Sequence, residues 1–304
     1  MNLWMSFLRK ERMSIQQLTK LLQDIYPNQN IFSQEQQEIQ RLFEESGIYV
    51  HMTDKDGFCS EANFDSKTLS VLSGSGVHFV NECSSTNTLA RSLATEKSSS
   101  KEIDVVVSDF QTKGRGRLQR NWYSEPGKNL LFSLILRPNI SPQLAPRCTL
   151  LWATAIATEL DFYVKWPNDI FTEEGKKIGG LLCEAIFSQN TIEHLIVGVG
   201  INVHQQKFPV DTYASSLDIE RNSSNNNRSL LLARLIRCIR GCDISQNMDQ
   251  HRERSFVLGK EIQVGTVKGM AEAIHEDGTL IVDGQAICTG DVEILPEIQE
   301  TISL

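Results

Sequence analysis

Gln111-Thr112-Lys113-Gly114-Arg115-Gly116-Arg117-Leu118-Gln119-Arg120-Asn121-Trp122 is the stretch whose reading decides the fold. It follows Val105-Val106-Val107, which has the β-branched composition of a buried strand. It holds two glycines and four cations, Lys113, Arg115, Arg117 and Arg120. Glycine lets a backbone take positive φ and come close to a ligand. Arginine presents a planar fork of donors suited to carboxylate or phosphate. A strand that runs into such a loop predicts a mobile cationic lid over something anionic. A solvated turn and a nucleic-acid contact fit the same residues, so the rest of the chain has to decide.

On either side of the loop, strands and helices alternate. Upstream, Val77–Val80 reads as a strand, and Ser84-Ser85-Thr86-Asn87 caps a helix running to about Glu96, with Leu89 and Leu93 on one face. Downstream, Leu130–Leu136 is a buried-type strand and Ser141–Glu159 an apolar helix. Ile178–Phe187 and Ile192–Val203 are two further strands, both containing glycine. Phe208–Arg228 is polar and Asn-rich and predicts one long loop. Ser229–Cys242 is a helix, followed by a polar helix to about Arg254. Together these make a central α+β domain over residues 73–255. From Gly259 to Leu295 the runs shorten and are separated by Asp277-Gly278, Asp283-Gly284 and other glycine turns, which predicts a small β-barrel domain over residues 256–304.

Residues 1–72 differ in character. A helix starts at Ser14, a second spans Ser33–Ser46, and Ile48–His51 with Gly57–Cys59 reads as a hairpin around Lys55-Asp56-Gly57. Helix, helix and β-wing is the layout of a winged helix-turn-helix. A DNA-reading second helix needs cations. This one carries Glu35, Glu38, Glu44 and Glu45 against Arg41 alone, so a packing module competes with a DNA reader.

Composition narrows the function classes. The chain has 304 residues, and its formal net charge of −8 argues against broad nucleic-acid or anionic-membrane binding. No apolar run reaches the length of a membrane span, and the N-terminus lacks a signal-peptide core, so a cytoplasmic protein is expected. Seven scattered cysteines suit reduced structural thiols. Cys238 and Cys242 have helical spacing but no second ligand pair, so no metal site is assigned to protein side chains.

Four patches besides the lid carry candidate chemistry. Ser85-Thr86-Asn87 opens a helix, where free backbone N–H groups and hydroxyls can hold a polar group or simply cap. Lys165-Trp166-Pro167-Asn168-Asp169 joins a cation, an aromatic, a rigid turn and a carboxylate. Lys176-Lys177-Ile178-Gly179-Gly180 sends a lysine into a strand whose glycines leave room beside it. Gly198-Val199-Gly200-Ile201-Asn202-Val203 has glycine at alternate positions, so one strand face is bare backbone against which a flat ligand or another backbone can lie.

The ordered set Ser-Thr-Asn, Gly-Arg-Gly-Arg…Trp, Lys-Trp-Pro-Asn-Asp, Lys-Ile-Gly-Gly and Gly-Val-Gly-Ile-Asn resembles the biotin protein ligases over roughly residues 77–295. The N-terminal layout is similar to the bifunctional members, which add a winged helix and repress biotin synthesis. The resemblance implies an α+β fold with three parts: a winged helix-turn-helix-like domain, a central mixed sheet of class II synthetase/biotin ligase type, and an SH3-like barrel. It implies that biotin and ATP are joined, with Mg²⁺ on the phosphates, to biotinoyl-adenylate. The biotinoyl group then passes to a lysine of the biotin carboxyl carrier protein of acetyl-CoA carboxylase. By the same resemblance Ser85, Thr86, Asn87 and Gln111 hold the ureido end of biotin, and Arg115, Gly116 and Arg117 close over the acyl-phosphate. Lys177 contacts the carboxylate and phosphate oxygens, and Gly180 and Gly200 make room along the sheet. Lys177, Arg117 and Arg115 are thus the expected catalytic cations, with Trp122, Lys165, Asn168, Asp169 and Asn202 in support. Trp122 and Trp166 either seal the biotin slot or simply pack.

This chain departs from the family pattern at several points. Ser84 replaces a common acidic residue, and Leu118 and Gln119 replace a basic residue and glycine. Phe208–Arg228 has no tryptophan to stack on adenine. A lipoate-type ligase and a biotin-responsive repressor remain rival or additional readings. The family often dimerises by adding sheets edge to edge, which leaves a homodimer as an open expectation.

Overall fold

The computed structural model describes residues 52–53, 57–58 and 64–295, except 97–102, 139, 190, 211 and 223–225. The helices expected near Ser14 and over Ser33–Ser46 lie outside the described residues. Of the expected hairpin, Ile48–His51 lies outside the described residues; among the described residues β1 (Met52–Thr53) pairs antiparallel with β2 (Gly57–Phe58).

The main body is a seven-stranded sheet. Its strands in chain order are β3 (Val77–Cys83), β4 (Val105–Gln111), β5 (Asn129–Leu136), β6 (Tyr163–Lys165), β7 (Asp169–Phe171), β8 (Lys177–Ser188) and β9 (Thr191–Asn202). Across the sheet the order is β3-β4-β5-β9-β8-β7-β6. The β3–β4 pair is parallel and the other pairs are antiparallel, so the sheet is mixed. A parallel pair needs a crossover, and helix α1 (Ser66–Ser73) precedes the pair while α2 (Thr86–Thr95) bridges it.

Alternation along the strands sends side chains to two faces. Val105, Val107, Leu130, Phe132 and Leu134 join the large core, which is covered by α1, α3 (Ala145–Leu160) and α5 (Arg228–Gly241). Leu69 of α1 is fully buried in that core. The opposite face is covered at one end by α2, where Ala90 meets Val106, Ile135 and Ile196. Among the described residues no helix other than α2 packs on that face. Gly198 and Gly200 lie there, alternating with the core residues Val197, Val199 and Ile201. The candidate site occupies this uncovered part of the sheet.

The segment expected as one loop over Phe208–Arg228 contains a short helix, α4 (Leu217–Arg221). Ser216 caps it by accepting from Ile219 N, and Leu217 is fully buried, which ties the polar segment to the core. The later polar helix is confined to α6 (Asp249–Glu253).

The C-terminal region is a five-stranded antiparallel sheet of β10 (Glu261–Val264), β11 (Val267–Ile274), β12 (Leu280–Val282), β13 (Gln285–Ile287) and β14 (Val292–Ile294). The β12–β13 turn has Asp283 at φ 48 and Gly284 at φ 71, both positive, as a two-residue turn of matching twist requires. This sheet packs against Leu150 and Leu151 of α3 and against Trp166, which follows β6. Trp166 Nε1 donates to Gly278 O at 2.9 Å, and the residue is 2 % exposed. Of the two alternatives open for Trp166, packing is therefore the one observed. Among the described residues no helix is long and apolar enough to cross a membrane.

Candidate functional site

The floor of the site starts at the first turn of α2. Ser85, Thr86 and Asn87 are all buried there. Thr86 N and Thr86 Oγ1 both donate to Gln111 Oε1, at 2.7 and 3.1 Å, which ties the helix start to the end of β4. Asn87 Nδ2 donates to Leu182 O at 3.1 Å and to Glu184 Oε2 at 2.8 Å. Two acceptors on the amide nitrogen fix which way the amide points. Ser133 Oγ lies 2.7 Å from Asn87 Oδ1 and 2.8 Å from Thr86 Oγ1, and its single proton serves one of them at a time. Gly198 leaves the notch that the Asn87 amide fills, since a Cβ there would overlap Asn87 Oδ1. Ser133, Glu184 and Gly198 were not among the expected site residues. Their signals were a lone hydroxyl and a lone carboxylate in apolar strands, and the first glycine of Gly-Val-Gly.

The lid is the β4–β5 connection. Gly116 N donates to Arg120 O at 2.7 Å and Trp122 N to Gly114 O at 2.9 Å, making a narrow loop. A Cβ on Gly114 would come within 2.7 Å of Trp122 O, so this glycine is required by close backbone approach. Leu118 and Gln119 stand at φ 51 and φ 61, left-handed values that cost a non-glycine residue about 1–2 kcal/mol. The lid tip therefore carries backbone strain at Leu118 and Gln119.

Every lid arginine of the expected set rests on a carboxylate of this chain. Arg115 Nη2 is 3.4 Å from Glu184 Oε2 and 3.3 Å from Thr88 Oγ1. Arg117 Nη1 donates to Gly290 O at 3.0 Å, to Asp291 Oδ1 at 3.4 Å and to Asn168 Oδ1 at 3.5 Å. Arg120 Nη1 is 2.8 Å from Asp291 Oδ2. Asp291 precedes β14, so the C-terminal sheet supplies a carboxylate to the lid, a residue the sequence reading did not single out.

Lys177 opens β8. Its Nζ is 2.7 Å from Asp169 Oδ1 and 5.6 Å from the centre of the Trp122 ring. Asn202 Nδ2 donates to Ser215 O at 2.9 Å and to Lys177 O at 3.4 Å, holding the backbone beside that lysine. Asn168 Nδ2 donates to Leu181 O and Leu181 N returns a bond to Asn168 O at 2.9 Å, which fixes the Asn168-Asp169 turn on β8. The expected sheet glycines face protein groups in this structure. A Cβ on Gly200 would lie 2.8 Å from the Trp122 ring, and one on Gly180 would lie 2.7 Å from Asp169 Oδ1. Trp122 Nε1 is buried without a hydrogen-bond partner among the described residues.

All ten residues expected to touch the substrate line one cavity of about 130 Å³, as do Trp122, Asn168 and Asp169. Lys165 and Asn202 line a larger neighbouring cavity of about 760 Å³ with Phe171, Phe208, Tyr213 and Phe256. Arg120, Asn121, Trp122, Asp169, Lys177 and Asp291 line both. The arrangement is a narrow polar slot on the sheet, a wide aromatic-lined cavity beside it, and cations where the two join. Two anionic ligands, one in each, would meet at those cations, whose charge offsets the repulsion between them.

A family model described as the Biotin/lipoate A/B protein ligase family matches residues 80–202. The bifunctional ligase/repressor BirA of Bacillus spizizenii is 33% identical over 264 residues, spanning 77% of this chain and 78% of that protein. The biotin–[acetyl-CoA-carboxylase] ligase of Mycobacterium tuberculosis is 27% identical, spanning 76% of this chain and 94% of its own length. Among solved structures, the biotin protein ligase of Aquifex aeolicus in complex with biotin and ATP superimposes with a TM-score of 0.57 at 27% identity, over 72% of this chain and 98% of that one.

Proposed function

The chain belongs to the biotin protein ligase family, and from that premise we propose how its site works as an ATP-dependent ligase. Biotin occupies the narrow slot, its ureido end on Ser85, Thr86, Asn87 and Gln111 and its carboxylate toward Lys177. ATP lies in the wide cavity, its base among Tyr213, Phe208 and Phe256 and its α-phosphate at the shared wall. The carboxylate oxygen attacks the α-phosphorus, biotinoyl-adenylate forms, and pyrophosphate leaves. Lys177, Arg115 and Arg117 stabilise the crowded negative charge. In the second half-reaction, a lysine amine of the biotin carboxyl carrier protein attacks the acyl carbon and AMP departs.

The observation that carries this reading is that residues of five sequence-distant motifs line one slot, and three of those motifs, through Trp122, Asp169 and Lys177, also wall the wide cavity beside it. The adenylate is a mixed anhydride that water destroys, which gives the lid its purpose. When anionic ligands arrive, Arg115 and Arg117 exchange Glu184 and Asp291 for ligand oxygens. Mg²⁺ fits as an ion carried by the nucleotide: Asp169 and Asp291 are already paired with cations. Among the described residues no group of three metal-ligating side chains gathers. On the phosphates the ion would neutralise charge.

The reading is tested by incubating the protein with biotin, ATP and a carrier domain and weighing the carrier. One biotinoyl adduct on a lysine supports it. No adduct, or an adduct formed only with lipoate, overturns it. A second reading, a biotin-responsive repressor built on residues 1–72 as a winged-helix module, is favoured by the helix, helix and hairpin pattern and the β1–β2 pairing. A gel shift with and without biotin and ATP tests it, and true phosphate contacts would give a steep salt dependence.

A further inference from the structure

Lys165 ends β6, flanked by the buried residues Val164 and Trp166, and lines the wide cavity. Its Nζ sits 5.0 Å from the centre of the Phe171 ring. The other cations around the shared wall have carboxylate partners: Lys177 has Asp169, Arg115 has Glu184, and Arg117 and Arg120 have Asp291. Lys165 makes no ion pair among the described residues. An aromatic face attracts an ammonium group but does not neutralise it. Asp169, its cross-strand partner in the β6–β7 pair, and Asp291 act on this half-buried ammonium without a direct ion pair, so an incoming anion adds the contact it lacks. Burial holds the Lys165 ammonium below the usual lysine range, with nearby Asp169 opposing this and Lys177 adding to it. The group is therefore set to gain from polyanionic company.

We propose that Lys165 is a catalytic residue of the adenylation step, its ammonium binding the pyrophosphate portion of the nucleotide from the wall of the wide cavity. This rests on the ligase reading above. In that step one bond forms, from the biotin carboxylate oxygen to the α-phosphorus. One bond breaks, from the α-phosphorus to the oxygen that bridges to the β-phosphate. The electron pair leaves on that bridging oxygen as pyrophosphate departs, and no proton is transferred. Negative charge thus moves from the slot, where Lys177 and the lid arginines sit, into the wide cavity. Lys177 serves both half-reactions because the α-phosphate stays beside it. Lys165 serves only the first, because pyrophosphate is gone before the carrier arrives.

That asymmetry gives the test. Lys165→Met keeps the length and removes the charge, and Lys165→Arg keeps the charge. Biotin-dependent pyrophosphate release should fall about 100-fold in Lys165→Met, the size typical of losing one preorganised charge-stabilising donor. Transfer to the carrier from supplied biotinoyl-adenylate should stay within about twofold, which also shows that the variant is folded. Lys165→Arg should recover most of the release rate. An equal loss in both half-reactions would mean a structural role and overturn the proposal, and so would unchanged pyrophosphate release in Lys165→Met. Failure of the unaltered protein to transfer supplied adenylate would instead overturn the ligase reading itself, a result the same assay separates.

Discussion

The floor and the lid of the site are built on opposite principles. On the floor, Thr86, Asn87 and Ser133 are buried and bonded to each other, to Gln111 and to the sheet. On the lid, the Arg115 side chain is 45% exposed and Leu118 is 68% exposed. The lid arginines are paired with carboxylates that ligand oxygens can replace. A buried polar group that loses its partner costs about 1–3 kcal/mol, whereas a partly exposed ion pair contributes about 0–1 kcal/mol. The floor is therefore fixed by folding. The lid is poised to trade one set of anions for another. Under the proposed mechanism, recognition on the floor would precede closure, because only the lid can change partners cheaply.

Substitutions can break or sharpen that contrast. The largest effect is expected at Lys177, which belongs to the chemistry rather than to either region. Lys177→Ala should lower the rate of pyrophosphate release by about 10²–10³-fold while calorimetry still detects biotin binding. Loss of biotin binding as well would move Lys177 into the floor. Arg117→Gly should speed escape of the adenylate by about 10–100-fold, from loss of one charge-assisted contact. A dilution assay reads this directly, and unchanged escape would remove Arg117 from the closed lid. Ser133→Ala should weaken biotin binding by about 5–10-fold, the worth of one buried hydrogen bond. Unaltered affinity would show that the floor does not depend on it. The smallest effect has the opposite sign. Asp291→Asn frees Arg117 and Arg120 and should tighten adenylate retention by up to about fivefold. Weaker retention would mean that Asp291 props the lid rather than restrains it.

How much of this was legible in the sequence follows the same division. The lid and Lys177 could be read because glycine and cation stand side by side in the chain. The C-terminal hairpins could be read because Asp283-Gly284 can take positive φ at both positions. Ser133 and Glu184 could not be assigned, since each is one polar residue within an apolar strand and only pairing brings it to Asn87. Asp291 could not be assigned either, since it stands in a turn before β14 and lies 174 residues from the Arg117 it holds. Strands β6 and β7 have three residues each, too few for alternation to register. Helix α4 had a signal, Ser216 before Asp218 and Glu220, that suits a capped first turn. The Asn-rich stretch beside it outweighed that signal. Local chemistry shows in sequence order, while the partners that hold it in place come from tertiary pairing.

The account rests on two acid groups meeting at one cationic wall. A crystal structure with biotin and a non-hydrolysable ATP analogue measures this most directly. The carboxylate and the α-phosphate should both lie within hydrogen-bonding reach of Lys177, with Arg115 and Arg117 turned from Glu184 and Asp291 onto the ligands. Ligands bound away from these three side chains, with the arginines still on their carboxylates, would contradict it.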